Sequence, residues 1–217
     1  MIRIYYKDLS SDCSNEQSLA MYKQLPRERQ ERIDKTKKRD IAKKRIRIGY
    51  FLQQVLSEEL NMPMERIQYT YGKWGKPGIL SSSTHFNMSH SGRYVVVAVS
   101  DEPVGIDIEH KAKNYERVAE RCFCLEEWQY IKNCDNENER KKRFLEIWTM
   151  KEAYIKYTGE GMTTALNSFN IIQNQNDNYL NLQFKTLDMS DYGLESDYIM
   201  SFCGEHIEYM VKTCNRI

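Results

Sequence analysis

The sequence predicts an α+β protein, with strands at both ends of the chain and in its middle and with helices between them. Three observations point there. Met1–Asp8 alternates apolar and polar residues, and Tyr94–Ser100 is a short apolar run rich in valine, as strands require. Ile41, Ile48, Leu52, Val55 and Leu56 recur at helical spacing. The last fifty residues read as further short strands separated by polar turns.

Taken in order, strand Ile2–Tyr6 is followed by one long amphipathic helix running from the Arg27 region to about Leu56, with a basic outer face. Strand Ile67–Tyr71 leads into a Gly- and Lys-rich loop containing Ser81-Ser82-Ser83, then strand Tyr94–Ser100 and a turn at Asp101-Glu102-Pro103. Strand Val104–Glu109 opens the second half. Helices are expected near Tyr115–Phe123, Glu126–Lys132 and Arg140–Tyr157, the last rich in good helix formers and stopped by Gly159. Strands follow at Phe169–Ile172, Tyr179–Leu187, Tyr198–Cys203 and Ile207–Lys212, with Asn174–Asn178 as a turn between two of them.

A chain of 217 residues can bury a substantial core as one large domain or two small lobes. No stretch is long and apolar enough to span a bilayer, and Met1–Asp8 lacks the apolar block of an export signal, so a cytoplasmic protein without a membrane partner is expected. The six cysteines show no C-x-x-C pairing and no metal-ligand rhythm with the four histidines, so reduced thiols are expected. The net charge of +1 conceals a local imbalance. Arg27–Arg47 carries eleven Lys or Arg against four Asp or Glu, which calls for anions nearby.

Two runs concentrate chemistry: Gly105-Ile106-Asp107-Ile108-Glu109 and Trp148-Thr149-Met150-Lys151-Glu152-Ala153-Tyr154-Ile155-Lys156. In a strand, Asp107 and Glu109 project to one face while Ile106 and Ile108 pack on the other. Two carboxylates on one partly buried face repel and ask for a cation, and a mostly oxygen donor set favours Mg²⁺ over Zn²⁺. On the helix, Trp148, Glu152 and Lys156 share a face. Taken alone, the helix pair also fits an ordinary surface contact worth about 0.3–0.5 kcal/mol.

A third segment, Gly75-Lys76-Pro77 followed by Phe86-Asn87-Met88-Ser89-His90-Ser91, completes a series. With Gly159-Glu160-Gly161, the runs GKP, FNxSHS, GxDxE and WxxKEAxxK stand in one order, and the chain resembles the 4'-phosphopantetheinyl transferases of the surfactin-synthetase-activating type. The resemblance covers about two thirds of the chain. It implies two similar α+β lobes related by a pseudo-twofold axis, residues 1–102 and 103–217, with the active site in the cleft between them. It implies transfer of the 4'-phosphopantetheine arm of coenzyme A to a serine of an apo acyl or peptidyl carrier protein, releasing 3',5'-adenosine bisphosphate. A monomer carrying both lobes is expected from the chain length.

The same resemblance implies roles for single residues. Asp107, Glu109 and Glu152 would surround one Mg²⁺, Glu152 would be the general base, and Lys156 would stabilise charge on the phosphates. Arg29, Arg32 and Arg45 would hold coenzyme A phosphates together with Lys76, His90 and the backbone of Ser89, and Lys151 would be a further phosphate contact. Arg117, Arg121, Phe123 and Trp128 are candidates for the carrier-docking face, and Glu127 matches a family glutamate without an assigned role. Two other functions compete. A metal-dependent nucleic-acid-binding protein or nuclease would also use the basic stretch 27–47, but basic charge confined to one segment of a near-neutral chain argues against a nucleic acid partner. A non-catalytic coenzyme A binder would not need Asp107, Glu109, Glu152 and Lys156 together.

Overall fold

The computed structural model describes residues 1–110, 114–178, 180–195 and 197–213. Its first half runs β1 (Ile2–Asp8), α1 (Asn15–Lys23), α2 (Arg27–Asp34), α3 (Arg39–Glu59), β2 (Tyr69–Tyr71), β3 (Pro77–Ile79), β4 (His85–Ser91) and β5 (Tyr94–Ser100). Its second half runs β6 (Gly105–His110), α4 (Tyr115–Cys122), α5 (Leu125–Lys132), α6 (Glu137–Thr158), α7 (Ile171–Asp177), β7 (Gln183–Asp188), β8 (Tyr198–Gly204) and β9 (Tyr209–Thr213). The mixed α+β class expected from the sequence is therefore what the chain adopts.

One sheet has the order β4-β5-β1-β9 and a second the order β6-β8-β7, while β2 and β3 form a small ribbon. In the first, β1 pairs antiparallel with β5 and parallel with β9, so the last strand of the chain returns to the sheet of its first half. In the second, Asp107 of β6 stands opposite Ser201 of β8.

Strand alternation divides β5 between two cores. Tyr94, Val96 and Ala98 join Ile2, Ile4, Ile106, Ile108, Met200 and Phe202 in an apolar layer shared by both sheets. Val95, Val97 and Val99 face the other way, against Ile48, Phe51, Leu52, Val55 and Leu56 of α3. Each such buried side chain contributes roughly 1.5–3 kcal/mol, which fixes α3 on the outer face of the first sheet. α6 packs on the outer face of the second, with Ile147 in one cluster with Ile199.

Three expectations are corrected. The basic stretch is not one helix. α2 ends at Asp34 and α3 begins at Arg39, because Lys35, Lys37, Lys38 and Arg39 crowd four cations into one turn and the Thr36 hydroxyl bonds the Arg32 carbonyl. Ile41, near the start of α3, is exposed. The expected strand Phe169–Ile172 and turn Asn174–Asn178 are instead the approach to and body of α7. Its asparagines serve as caps: the Asn170 side chain accepts from Gln173 N, and Asn178 takes the left-handed conformation at the C-terminus. Asn174 is buried, donating to the Leu182 carbonyl and accepting from Leu180 N. Tyr179, with which the next strand was expected to begin, lies outside the described residues, and β7 starts at Gln183. β4 and α1 were not anticipated; the capping box of Ser14 and Gln17 that starts α1 was readable.

Candidate active site

β6 lies directly on α6, and Gly105 makes the approach possible. A Cβ built there would sit 1.9 Å from the Ala153 carbonyl oxygen and 2.7 Å from Tyr157 N. Two residues on, on the same face of the strand, Asp107 points at α6 and accepts from Lys156 Nζ at 2.5 Å. Ile106 and Ile108 enter the apolar layer, as alternation requires. The glycine is thus the contact that sets the reach of the carboxylates.

β4 closes the site from the other half. Ser89 Oγ donates to Asp107 Oδ1 at 2.7 Å, Ser91 Oγ donates to Glu109 Oε2 at 2.7 Å, and Asn87 Oδ1 accepts from Ile106 N at 3.2 Å. Asp107 is buried, and its second oxygen, Oδ2, is buried with no hydrogen-bond partner. Burial raises the pKa of Glu109, with repulsion from Asp107 adding to it and the Ser91 hydrogen bond opposing it. Burial also raises that of Glu152, followed by repulsion from Asp107 and from Glu109, against the pull of Lys156. The three carboxylates therefore feel one another. Among the described residues no three His, Cys, Asp or Glu side chains already stand together as metal ligands.

Next to these groups is a cavity of about 450 Å³ whose lining includes Arg29, Arg32, Lys35, Arg45 and His90. Tyr69, Tyr71, Ile48 and Met88 provide its less polar walls. Gly49 of α3 leaves room for Arg29 to cross the helix, since a Cβ there would lie 2.6 Å from Arg29 Cδ. Burial lowers the pKa of Arg29. Arg45 is oriented by a 2.6 Å hydrogen bond to Thr36 in the break between α2 and α3. His90 links cavity and carboxylates: burial lowers its pKa, Lys44, Lys156 and Arg45 lower it further, and Asp107 opposes them.

The structure thus brings Asp107, Glu109, Glu152 and Lys156 together and gathers Arg29, Arg32, Arg45 and His90 beside them. Two lysines depart from expectation. Lys151 is fully buried, paired with Glu127 at 2.9 Å and donating to the Leu166 and Phe169 carbonyls at 2.7 and 2.6 Å, which leaves no donor for a phosphate. It lies on the helix side away from Glu152 and pins the segment before α7 to α6. Glu127 gains its role here: it also accepts from Cys124 N and Ile171 N. Lys76 donates to the Tyr157 carbonyl at 2.7 Å at the C-terminus of α6, and burial lowers its pKa to about 8. Its neighbours Gly75 and Pro77, not its ammonium, line the cavity.

Of the expected docking residues, Phe123 is buried and stacks on Phe144, and Trp128 packs against the same cluster. Only Arg117 and Arg121 of that set are exposed. Residues missed from the sequence are Lys35, Tyr69 and Tyr71 in the cavity and Asn87 and Ser91 on β4. The i, i+2, i+4 spacing of Asn87, Ser89 and Ser91 was the available signal for a polar strand face.

Comparison with known proteins gives the family. Residues 103–203 match the model of the 4'-phosphopantetheinyl transferase superfamily, and residues 12–102 match that of the 4'-phosphopantetheinyl transferase N-terminal region. The chain is 36% identical over 155 residues to the 4'-phosphopantetheinyl transferase gsp of Aneurinibacillus migulanus, covering 70% of this chain and 65% of that protein, just under two thirds of its length. It is 34% identical over 177 residues to psf-1 of Bacillus pumilus, covering 76% and 74%. It is 26% identical over 217 residues to Sfp of Bacillus subtilis, covering 96% and 94%. Both of these are also named 4'-phosphopantetheinyl transferases.

Proposed function

Because this chain belongs to the 4'-phosphopantetheinyl transferase superfamily, we propose that it transfers the phosphopantetheine arm of coenzyme A to a serine hydroxyl of an apo acyl or peptidyl carrier protein. The observation that carries the reading is the buried, partnerless Oδ2 of Asp107, on a carboxylate that acts electrostatically on both Glu109 and Glu152, near an arginine-lined cavity.

Arg29, Arg32 and Arg45, with His90 and the backbone of Ser89, hold the phosphates of coenzyme A, charge-assisted hydrogen bonds being the strong kind. Asp107, Glu109 and Glu152 hold a divalent ion, Mg²⁺ by the hardness of an all-oxygen set. When bound, such an ion supplies charge neutralisation at the pyrophosphate. Glu152 takes the proton of the attacking serine hydroxyl, and burial, which raises its pKa, makes it a stronger base than an exposed carboxylate. The new bond forms to the β-phosphorus, and the bond to 3',5'-adenosine bisphosphate breaks. Lys156, held by Asp107, neutralises charge on the phosphates as that bond opens. The rest is positioning.

The two halves, residues 1–102 and 103–217, act as similar lobes about a pseudo-twofold axis. Support comes from the repeated plan of a sheet covered outside by one long helix, α3 or α6. β9 is the piece of the second half that crosses into the first sheet. No helix among the described residues is long and apolar enough to cross a membrane. We place the enzyme in the cytoplasm as a monomer. The nucleic-acid alternative finds no support in the relatives, which are named as transferases.

The test incubates the protein with coenzyme A, Mg²⁺ and several apo carrier proteins and follows the added arm by mass spectrometry. Wild type should modify at least one carrier, and Asp107→Ala and Glu152→Gln should modify none while remaining folded. Absence of transfer to every carrier would overturn the reading.

A further inference from the structure

β4 and β6 belong to different sheets, yet they run side by side at the seam between the halves. What joins them is a row of side-chain bonds: Asn87 to Ile106 N, Ser89 to Asp107 and Ser91 to Glu109. The two serines keep step with the two carboxylates because side chains of both strands share a face at every second residue, so Ser89 and Ser91 meet Asp107 and Glu109, while Asn87 takes the backbone N–H of Ile106. Each serine holds a single named oxygen, Oδ1 of Asp107 and Oε2 of Glu109, and Asp107 Oδ2 stays buried without a partner.

We infer that Ser89 and Ser91 are positioning residues for the cation site: their hydroxyls fix the rotation of the Asp107 and Glu109 carboxylates, so that the first half of the chain orients ligands borne by the second. Outer partners of ligating carboxylates generally set metal affinity by 10–100-fold, and a hydroxyl can donate to one carboxylate oxygen without competing for the other. The serine side chains thus serve the cation, while the expected contact to coenzyme A in this motif falls to His90 and the backbone. The inference rests on the proposed divalent site.

The experiment measures Mn²⁺ binding by electron paramagnetic resonance in the presence of coenzyme A, for wild type, Ser89→Ala, Ser91→Ala and Ser91→Thr. It also measures coenzyme A binding in EDTA and the melting temperature of each variant. Both alanine variants should bind Mn²⁺ roughly 10–100-fold more weakly than wild type. Coenzyme A affinity in EDTA should stay within about twofold, and Ser91→Thr, which keeps the hydroxyl at a half-buried position, should restore binding. Wild-type Mn²⁺ affinity in both alanine variants would overturn the inference and leave the site standing. An equal loss in Ser91→Thr and Ser91→Ala would overturn it too, since packing and not the hydroxyl would then matter. No Mn²⁺ binding by wild type would overturn the cation reading itself. If Ser89→Ala melts early because Ser89 is buried, the Ser91 pair decides alone.

Discussion

Replacing Gly105 by alanine should separate the two halves of the catalytic set without touching any of its members. The added Cβ would meet the Ala153 carbonyl oxygen at 1.9 Å, Tyr157 N at 2.7 Å and Tyr157 Cβ at 2.9 Å, where real Cβ atoms keep beyond 3.0 Å. The nearest two obstacles are backbone, so no rotamer change relieves them. β6 must therefore retreat from α6 by about 1 Å, and overpacking of this kind costs about 1–3 kcal/mol of stability. At 2–4 °C per kcal/mol for a chain of this size, the melting temperature should fall by roughly 2–12 °C.

The effect on turnover should be larger. Asp107 and Glu109 ride on the displaced strand while Glu152 and Lys156 stay on the helix, and a misplacement near 1 Å costs about 100-fold in rate. That is about 2.7 kcal/mol in barrier height. The assay is transfer from coenzyme A to a saturating apo carrier, alongside coenzyme A affinity in EDTA. Affinity should hold, because Arg29, Arg32 and Arg45 lie on α2 and α3, across the seam from β6. A Gly105→Ala enzyme with near-wild-type turnover would refute the claim that β6–α6 contact sets the reacting geometry.

Lys151→Met should cost about 3–5 kcal/mol in urea unfolding, because it leaves Glu127 charged inside the protein and the Leu166 and Phe169 carbonyls without their donor. A loss below about 1 kcal/mol would show that this buried pair is dispensable. The stabilisation given by Mg²⁺ should grow from pH 5 to pH 7. Glu109 and Glu152 have native pKa values raised above the ordinary 4.5 by burial and mutual repulsion, so their protonation favours the native state below the unfolded value and that benefit is lost as pH rises through the native one. A cation binding the ionised forms offsets the loss, so a melting shift with Mg²⁺ that is flat across this range would contradict the assignment.

The strands and long helices were legible wherever burial imposed a clean period. β5 is buried throughout, and α3 shows its apolar face in Ile48, Leu52, Val55 and Leu56. The sequence was misleading where a polar side chain had two uses. Asn174 and Asn178 look like turn residues, yet they brace and cap α7, and Asn170, read as part of a strand, caps its start. Lys151 and Glu152 are adjacent in one motif, and only the packing around α6 shows that one is sealed against Glu127 while the other faces the carboxylates. Asp107 and Glu109 were legible as a pair because strand alternation is local. The serines that hold them lie eighteen residues away on a strand of another sheet, which no local period can reveal.

The charge arrangement narrows what the site can receive. Cations come from α2, α3 and the turn between them, where Arg29, Arg32, Lys35 and Arg45 converge on one cavity. Anions come from β6 and α6 of the second, where the charge of Asp107 adds to the cost of ionising Glu109 and Glu152. Direct pairing across the seam would neutralise both sets, but among the described residues the cation paired with Asp107 is Lys156, from α6 of the same half. A phosphate-rich ligand satisfies the first set and repels the second, and a bare cation does the reverse. A ligand carrying both, a diphosphate with its divalent ion, satisfies the two together, so each component should tighten the binding of the other by the same factor.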